Sequence, residues 1–437
     1  MKYFDIGFVG AGLSATVLLY ELSKAGYANS SVVIFDRTEK LGFGSFSRDV
    51  ETLLMNTPSE VLSICHGDPL HFKKWYEINI GQDMPRFVPR NIFGEYIKFN
   101  FNLAVSRLRL KNSVHIIECE VDSVDSQNVI SYDEKKVRAG KVINATGGIY
   151  NNDSRSPYPI EAIVGSLSES ETQAIDVFGT SLTAIDVALS ILERFPNKTV
   201  NLISRGGRLP QVKGRNLVPD EMLYFTYDNF VQKGEFSLRS MYRLARKEFI
   251  SKGINAYSYI FGEKEADSWT SFKERIDIAE SSKNEFNTVL GMMIEMAQMW
   301  KHLSNAQLDF YHNELHKKIH YIHGAMPLKR AKPLLDYIEK GKINLTQGQI
   351  EDHRSNNMLV NCTGHIDGVS LGDNPLRAMS HYDPNNFKVR NPDYNEFYGT
   401  GMVIRYSHPF MNNIEWLVVS SRELAKQFLV DRGIWML

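Results

Sequence analysis

Between Phe4 and Asp36 the chain commits itself to one supersecondary unit. An apolar strand over Phe4–Val9 runs into Gly10-Ala11-Gly12-Leu13-Ser14-Ala15, a helical run follows from Thr16 to Lys24, and a second apolar strand, Ser31–Phe35, ends on Asp36. This is G-x-G-x-x-A between strand and helix, with an acid at the tip of the next strand. Gly10 permits the tight turn, Gly12 lets a backbone approach a pyrophosphate, and Ala15 is small enough for helix and strand to pack closely. The helix N-terminus offers free N–H groups and partial positive charge to phosphates. Asp36 is placed to accept a hydrogen bond from a ribose hydroxyl. Strand, turn, helix, strand and acid in that order point to a dinucleotide site rather than an ordinary β-turn-α.

The bulk numbers narrow the remaining choices. A chain of 437 residues has room for roughly two or three domains. Hydrophobic residues make up 43% and charged residues 23%, the balance of a soluble globular protein. A net charge of −1 gives no electrostatic case for nucleic acid or an anionic membrane as the main partner. No window is long and apolar enough to span a bilayer, and the apolar N-terminal run lacks the basic leader and cleavage site of a signal peptide, so the expected location is the cytoplasm. Cys65, Cys119 and Cys362 are far apart and none forms C-x-x-C. Chemistry built on a vicinal redox pair is therefore not expected, and each cysteine reads as a small apolar residue.

After Asp36 comes a glycine-rich turn, Leu41-Gly42-Phe43-Gly44-Ser45-Phe46-Ser47, then Leu53-Leu54-Met55-Asn56-Thr57-Pro58. Such a loop, soon after the ribose-binding acid, can lie along an extended cofactor. A helix is expected from Pro89 to about Leu108, with Ile92, Tyr96, Phe99, Leu103 and Val105 as its buried face. Arg90 reads either as a flavin or phosphate contact or as a surface ion pair. Strands follow over 114–124, a hairpin over 128–138, and a strand that closes with Asn144-Ala145-Thr146-Gly147-Gly148. Residues 151–173, rich in Ser, Asn, Asp, Glu and Pro, read as a connector.

A second nucleotide motif comes next: strand Ala174–Phe178, turn Gly179-Thr180-Ser181-Leu182-Thr183-Ala184, helix Ile185–Arg194 and strand Thr199–Ile203. It ends on Ser204-Arg205-Gly206-Gly207-Arg208, with no acid. Cations at that place favour a 2′-phosphate, hence NADP over NAD, with Arg205 and Arg208 as its partners. Ser181 stands where the pattern has glycine and would crowd the pyrophosphate, which leaves open an α/β unit that no longer binds nucleotide. Residues 219–338 turn helical, an insertion of about 100 residues that is too large for a loop. It carries His312, His316, His320 and His323, read as a polar face with no metal site, and Met292, Met293, Met296 and Met299, read as core. The run Val360-Asn361-Cys362-Thr363-Gly364-His365 then repeats the pattern of Ile143-Asn144-Ala145-Thr146-Gly147, so the two copies bracket the second motif.

Two glycine motifs, a Thr-Gly exit after each and a C-terminal return resemble the two-dinucleotide flavoproteins, in which an FAD domain is interrupted by an NADP domain. The resemblance is closer to a group of FAD/NAD(P)-binding proteins related to the N-hydroxylating flavin monooxygenases. It is carried by Gly10 to Ala15, Gly42-Phe43-Gly44, Leu54 to Pro58, Val88-Pro89-Arg90-x-x-Phe93-Gly94-x-Tyr96, Gly179 to Asp186, Ile203 to Pro210 and Asn361 to Gly364. Ser181 departs from the group's usual glycine and His365 from its usual proline. The expected fold class is α/β, with two Rossmann-like dinucleotide-binding domains and a helical insertion. An FAD domain is expected over 1–165 and 355–437, an NADP domain over 170–218 and 339–354, and a helical active-site cover over 219–338.

The resemblance implies FAD on the first motif, its ADP half held by Gly10, Gly12, Ser14 and Asp36, with Ala15, Gly44, Arg90, Val121, Thr146 and Gly147 as further candidate contacts. Met55, Asn56, Thr57 and His365 would lie near the isoalloxazine, Gly364 is a further candidate contact, and Gly399 to Met402, with Gly401 and Met402 as contacts, would close over the cofactor from the C-terminal side. NADP(H) is assigned to Gly179, Ser181, Leu182, Thr183, Arg205 and Arg208. With no cysteine pair, reduced flavin would pass electrons to O2 or directly to substrate. The resemblance favours O2 and hydroxylation of an amine or similar nucleophile on a small molecule. Two alternatives stand beside it: a flavin oxidase or dehydrogenase that does not use NADPH, and a non-catalytic nucleotide-binding sensor or partner protein.

Overall fold

The computed structural model describes residues 1–46, 53–148, 160–168, 171–256, 269–281, 285–316, 322, 324–352, 355–363, 382–408, 410–411 and 413–434. The chain divides into two units, residues 1–149 with 365–437, and residues 150–364.

The first unit is built on a seven-stranded sheet. β1 (Lys2–Val9) lies beside β2 (Ser31–Asp36), which lies beside β3 (Ser113–Glu118), all parallel. On the other side of β1 is β6 (Lys135–Asn144), also parallel, followed by the antiparallel β5 (Val129–Tyr132) and β4 (Ser123–Val124). The two-residue turn between β5 and β6 has positive φ at both Asp133 (+43°) and Glu134 (+61°), the hand that suits the twist of a hairpin. β6 changes partner along its length. Its first residues pair with β5, and Val142–Asn144 pair with the returning strand Phe397–Gly399.

Helix α1 (Leu13–Lys24) buries every residue from Leu13 to Leu22. Such all-round burial fits its place: it packs against both α3 (Arg90–Arg109) and the C-terminal helix Ile414–Val430. α3 starts after Pro89 as the sequence predicts, but its buried face is rotated from the expected one. Phe93, Ile97, Phe101, Ala104 and Leu108 point inward, Ile92 and Leu103 are half-buried, and Phe99 is 48% exposed. Tyr96 and Val105 do lie inside. Two overlapping apolar stripes run along this helix, and the one carrying Phe93 and Phe101 finds the aromatic rings of Phe46 and Phe72 and the core to pack on. α2 (His71–Asn79) adds Phe72, Trp75 and Tyr76 to the same cluster.

The second unit holds a four-stranded, all-parallel sheet in the order Ile343–Gln347, Thr199–Ser204, Ala174–Phe178, Met358–Asn361. We number the strands Ala174–Phe178 and Thr199–Ser204 β7 and β8. Part of the expected connector is a helix, α4 (Ile160–Ser168), whose Ile160, Ile163, Val164 and Leu167 recur at helical spacing and are buried. Residues 151–159 of that connector lie outside the described residues. α5 (Leu182–Arg194) follows β7. Beyond β8 the chain turns helical over Tyr227–Gln232, Leu238–Ser251, Trp269–Glu280, Glu285–Trp300, Asn305–Phe310 and Leu328–Glu339. A two-stranded pair, Val212–Lys213 with Met326–Pro327, ties its start to its end. Buried Glu248 accepts three successive backbone N–H bonds, from Leu223, Tyr224 and Phe225, and so fixes the loop that enters these helices. Of the four methionines read as core, Met293 and Met299 are buried, while Met292 and Met296 are only half-buried. His312 and His316 have ring centroids 5.7 Å apart beside a π-helical turn over Tyr311–Leu315; His320 and His323 lie outside the described residues.

At the first unit's sheet edge Glu396 receives Lys141 (2.5 Å), Lys388 and the Tyr398 hydroxyl (2.9 Å). Burial opposes its ionisation, but the three donors outweigh burial and hold its carboxyl down at about 2. A depressed folded-state value contributes stability that is complete above the unfolded carboxylate range near 4.5 and is lost as pH falls toward 2. Glu396→Gln is therefore expected to cost about 2 kcal/mol at neutral pH. In thermal melts its deficit relative to wild type should shrink steadily once the pH drops below about 4.5.

Candidate functional site

Both sheets have their strand-order reversal at a glycine turn, and the turn is built the same way twice. In the first unit, Gly10 donates to the Phe35 carbonyl (2.8 Å) and Ala145 donates to the Val9 carbonyl (2.8 Å). In the second, Gly179 donates to the Ile203 carbonyl (2.7 Å) and Cys362 to the Phe178 carbonyl (2.7 Å). Gly10 has φ +98° and Gly179 +118°, a region that costs side-chain-bearing residues dearly. Space forbids a side chain as well: a Cβ on Gly10 would fall on the Ala145 carbonyl oxygen, and one on Gly179 would sit 2.7 Å from the Cys362 carbonyl oxygen.

The repeated Asn-x-Thr also has one geometry in both places. The Asn144 side-chain oxygen accepts from the Thr146 N–H (3.2 Å) and hydroxyl (2.8 Å). The Asn361 oxygen accepts from the Thr363 N–H (3.1 Å) and hydroxyl (2.7 Å). Each asparagine thereby turns the chain away from its strand end just beside the glycine turn. Gly147 continues the first exit with φ +85° and open space around it. Gly364 and His365 lie outside the described residues.

In the first unit these residues surround the N-terminus of α1. Gly12 caps the helix with φ −77°, a conformation open to any residue, and what requires glycine there is the loop opposite. A Cβ on Gly12 would meet the Gly44 Cα at 3.0 Å. Fully buried Ala15 packs the helix onto the sheet. Ser14, within the first turn, is 8% exposed, and its hydroxyl has no hydrogen-bond partner among the described residues. Gly401 (φ +73°) lies directly over that hydroxyl, so closely that a Cβ there would collide with it. Thr400 anchors this return by donating to the Asn144 carbonyl (3.0 Å), and Met402 follows in a short 3-10 turn, half-buried. The structure thus brings Gly10, Gly12, Ser14, Gly44, Thr146, Gly401 and Met402 to one place.

Asp36 accepts the Ala11 N–H (2.7 Å) and the Arg37 N–H (2.9 Å), one on each carboxylate oxygen, which orients it toward the turn and leaves further lone pairs to accept from a ligand. Burial raises its carboxyl above the ordinary aspartate value, and those two backbone donors pull the other way. At the matching place in the second unit stands Ser204. Its hydroxyl meets the Thr180 hydroxyl (3.1 Å) and accepts the Gly207 N–H (3.0 Å). Arg205 beyond it is exposed and Arg208 is half-buried. Ser181 caps α5 with φ −88° and ψ −176°, close to the −77° and −159° of Gly12, and its side chain bonds to no N–H of its own helix. Leu182 and Thr183 form the first turn of α5, half-buried.

The remaining candidates sit further out in the first unit. Residues 53–55 lie antiparallel to 88–90: Met55 donates to the Val88 carbonyl (2.8 Å) and Arg90 to the Leu53 carbonyl (2.8 Å). The Arg90 side chain also reaches this strip, its Nε donating to the Leu54 carbonyl (3.1 Å). Asn56 and Thr57 follow, half-buried, and Val121 packs half-buried against the core just after β3. Sequence reasoning missed Lys98, whose Nζ donates to the Leu41 carbonyl (2.6 Å) while its stem lies under Gly42. All three cysteines are free thiols, Cys65 and Cys362 buried and Cys119 half-buried.

Residues 7–149 match the family model of the FAD-NAD(P)-binding domain. No curated protein matches the chain in sequence. Among solved structures it is similar to the L-lysine 6-monooxygenase of Pseudomonas syringae, at TM-score 0.58 and 8% identity, covering 99% of this chain and 100% of that one. It is similar also to the ornithine hydroxylase of Pseudomonas aeruginosa, at TM-score 0.56 and 10% identity over 97% and 98% of the two chains. The ornithine N-hydroxylase of Kutzneria sp. 744 gives TM-score 0.54 and 12% identity over 98% and 100%. The chain shares its fold with these hydroxylating enzymes. Among the described residues, no helix is long and apolar enough to cross a membrane.

The twin turns carry unequal demands that substitution separates. Gly10→Ala and Gly179→Ala each combine a forbidden φ with a carbonyl collision and are expected to destabilise the protein by more than about 3 kcal/mol. Gly147→Ala, with positive φ but open space, is expected to cost about 1 kcal/mol. Chemical denaturation of the three variants side by side checks the ranking.

Proposed function

We propose that the chain is an FAD-dependent oxidoreductase reduced by NADPH, and that it uses O2 to hydroxylate a small molecule bearing an amine or similar nucleophile. The observation that carries this reading is the unpartnered, nearly buried Ser14 hydroxyl at the mouth of α1, framed by Gly12, Gly44 and Gly401. A cradle in which three backbone segments come too close for side chains, and a donor is left open, suits a diphosphate. On this reading Gly10, Gly12, Ser14 and Gly401 hold the ADP half of FAD, Asp36 its ribose, Val121, Thr146 and Gly147 its surroundings, and Met55 to Thr57 the ring region. When bound, FAD supplies the redox chemistry, taking up a hydride and delivering electrons to O2.

The second unit is read as the NADPH domain, its core over 170–218 and 339–354 and its helices over 219–338 excluding water from the reaction. Three features support this. The hydrogen bonds of the first turn recur in the second, and Ser181 adopts the backbone of Gly12 without strain, so the serine does not by itself disable the turn. Ser204 then replaces the acid at Asp36's place, and Arg205 and Arg208 follow it, which suits a 2′-phosphate. The same features weigh against a flavin oxidase that has abandoned NADPH. The amine substrate is supported by the fold shared with lysine and ornithine hydroxylases. A cytoplasmic site of action fits the reduced thiols expected of three unpaired cysteines.

Anaerobic addition of NADPH to the FAD-loaded protein is expected to bleach the flavin, and NADH to do so at least ten times more slowly. Ser204→Asp, which restores an acid facing the 2′-phosphate, should narrow that preference about tenfold by weakening NADPH alone. Flavin that stays yellow under both reductants would overturn the reading.

A further inference from the structure

One helix holds both loops of the first unit that this reading sets against FAD, and it does so with two cations. From α3, Arg90 donates through Nε to the carbonyl of Leu54 (3.1 Å), the residue before Met55-Asn56-Thr57. About two helical turns further on, Lys98 donates to the carbonyl of Leu41 (2.6 Å), at the start of Gly42-Phe43-Gly44. Both bonds are charge-assisted and aimed at backbone, so they fix chain position whatever the loop side chains do.

Each loop has a second tie that makes the cation's effect local. The Lys98 loop is held at its far side by Gly42, which donates to the Ala11 carbonyl (3.0 Å), and Gly44 presses on Gly12. The Lys98 stem leaves no room for a side chain at Gly42, where a Cβ would meet its Cδ at 2.7 Å, and its ammonium lies over the rings of Phe43 and Phe101. The Arg90 loop is tied by the Met55-to-Val88 and Arg90-to-Leu53 backbone bonds. Lys98 thus acts on the loop touching the dinucleotide turn, and Arg90 on the loop assigned to the ring.

We propose that Arg90 and Lys98 are positioning residues with separate duties toward the cofactor: Lys98 sets the affinity for FAD through the 41–44 loop, and Arg90 tunes the bound ring through the 53–57 loop. The assignment of Arg90 to ring tuning rests on the FAD reading above. Neither residue needs to touch FAD for this division to hold. Misplacing a supporting loop by a fraction of an ångström is enough to change how a bound group is held.

The test uses Arg90→Gln and Lys98→Met in the full chain, first without cofactor. Amide hydrogen exchange is expected to quicken about tenfold at Met55 in Arg90→Gln with Gly42 unchanged, and at Gly42 in Lys98→Met with Met55 unchanged. With FAD added, Lys98→Met should weaken binding about tenfold and leave the flavin midpoint potential in place. Arg90→Gln should keep the affinity within about twofold and shift the potential by about 30 mV, a tenfold change in preference between the two redox states. If Arg90→Gln gives little folded protein, Arg90→Lys replaces it, with the same split expected at smaller size. Two variants with one shared phenotype, or a potential that ignores Arg90, would overturn the proposal. A wild-type chain that takes up no FAD would instead overturn the reading beneath it, and this is seen before any variant is made.

Discussion

The contact on which the rest depends is the one between a glycine and a carbonyl across a pair of parallel strands. Where β1 ends, Gly10 turns so close to Ala145 that no side chain fits between them. This lets α1 leave the sheet at an angle that points its N-terminus over the strand ends, and it places the exits of β1 and β6 on opposite sides of the same crevice. Four parts of the first site border that crevice: the acid on β2, the Asn144 turn on β6, the Gly44 loop opposite Gly12 and the Gly401 return above Ser14. The second unit makes the same contact between Gly179 and Cys362 and arranges its own strands about it.

With the backbone shared, the differences between the two sites are chemical. At the tip of the second strand the first has a carboxylate held by two backbone N–H groups, the second a hydroxyl followed by two arginines. On the proposed reading, one arrangement would accept hydrogen bonds from a ribose diol, and the other would suit an added phosphate. The closing elements differ as well. Over the first turn lies a loop that forbids a side chain at Gly12, whereas the second turn accommodates Ser181 in the same conformation.

Much of this was legible in the sequence because it is local. The order strand, glycine turn, helix, strand predicts both βαβ units, and Asn-x-Thr-Gly marks both exits, since each of these features is written within a few dozen residues. What was hidden depends on distant partners. The inward face of α3 could not be chosen from two competing apolar stripes without knowing that Phe46 and Phe72 wait on one side. The helix at Ile160–Ser168 was masked by the polar, proline-bearing run ahead of it. Lys98 gives no local signal, because its partner Leu41 is 57 positions away. The fit of Gly401 over Ser14 joins opposite ends of the chain, and only the folded structure reveals why a glycine stands there.

If the first crevice exists to hold a diphosphate, FAD must bind there and the ring alone must not. Calorimetric titration of cofactor-free protein with FAD and with riboflavin, which lacks the diphosphate and adenosine, tests this directly. The account predicts one tight site for FAD and binding of riboflavin weaker by at least a thousandfold, about 4 kcal/mol. Equal affinity for the two, or no binding of FAD, would contradict it.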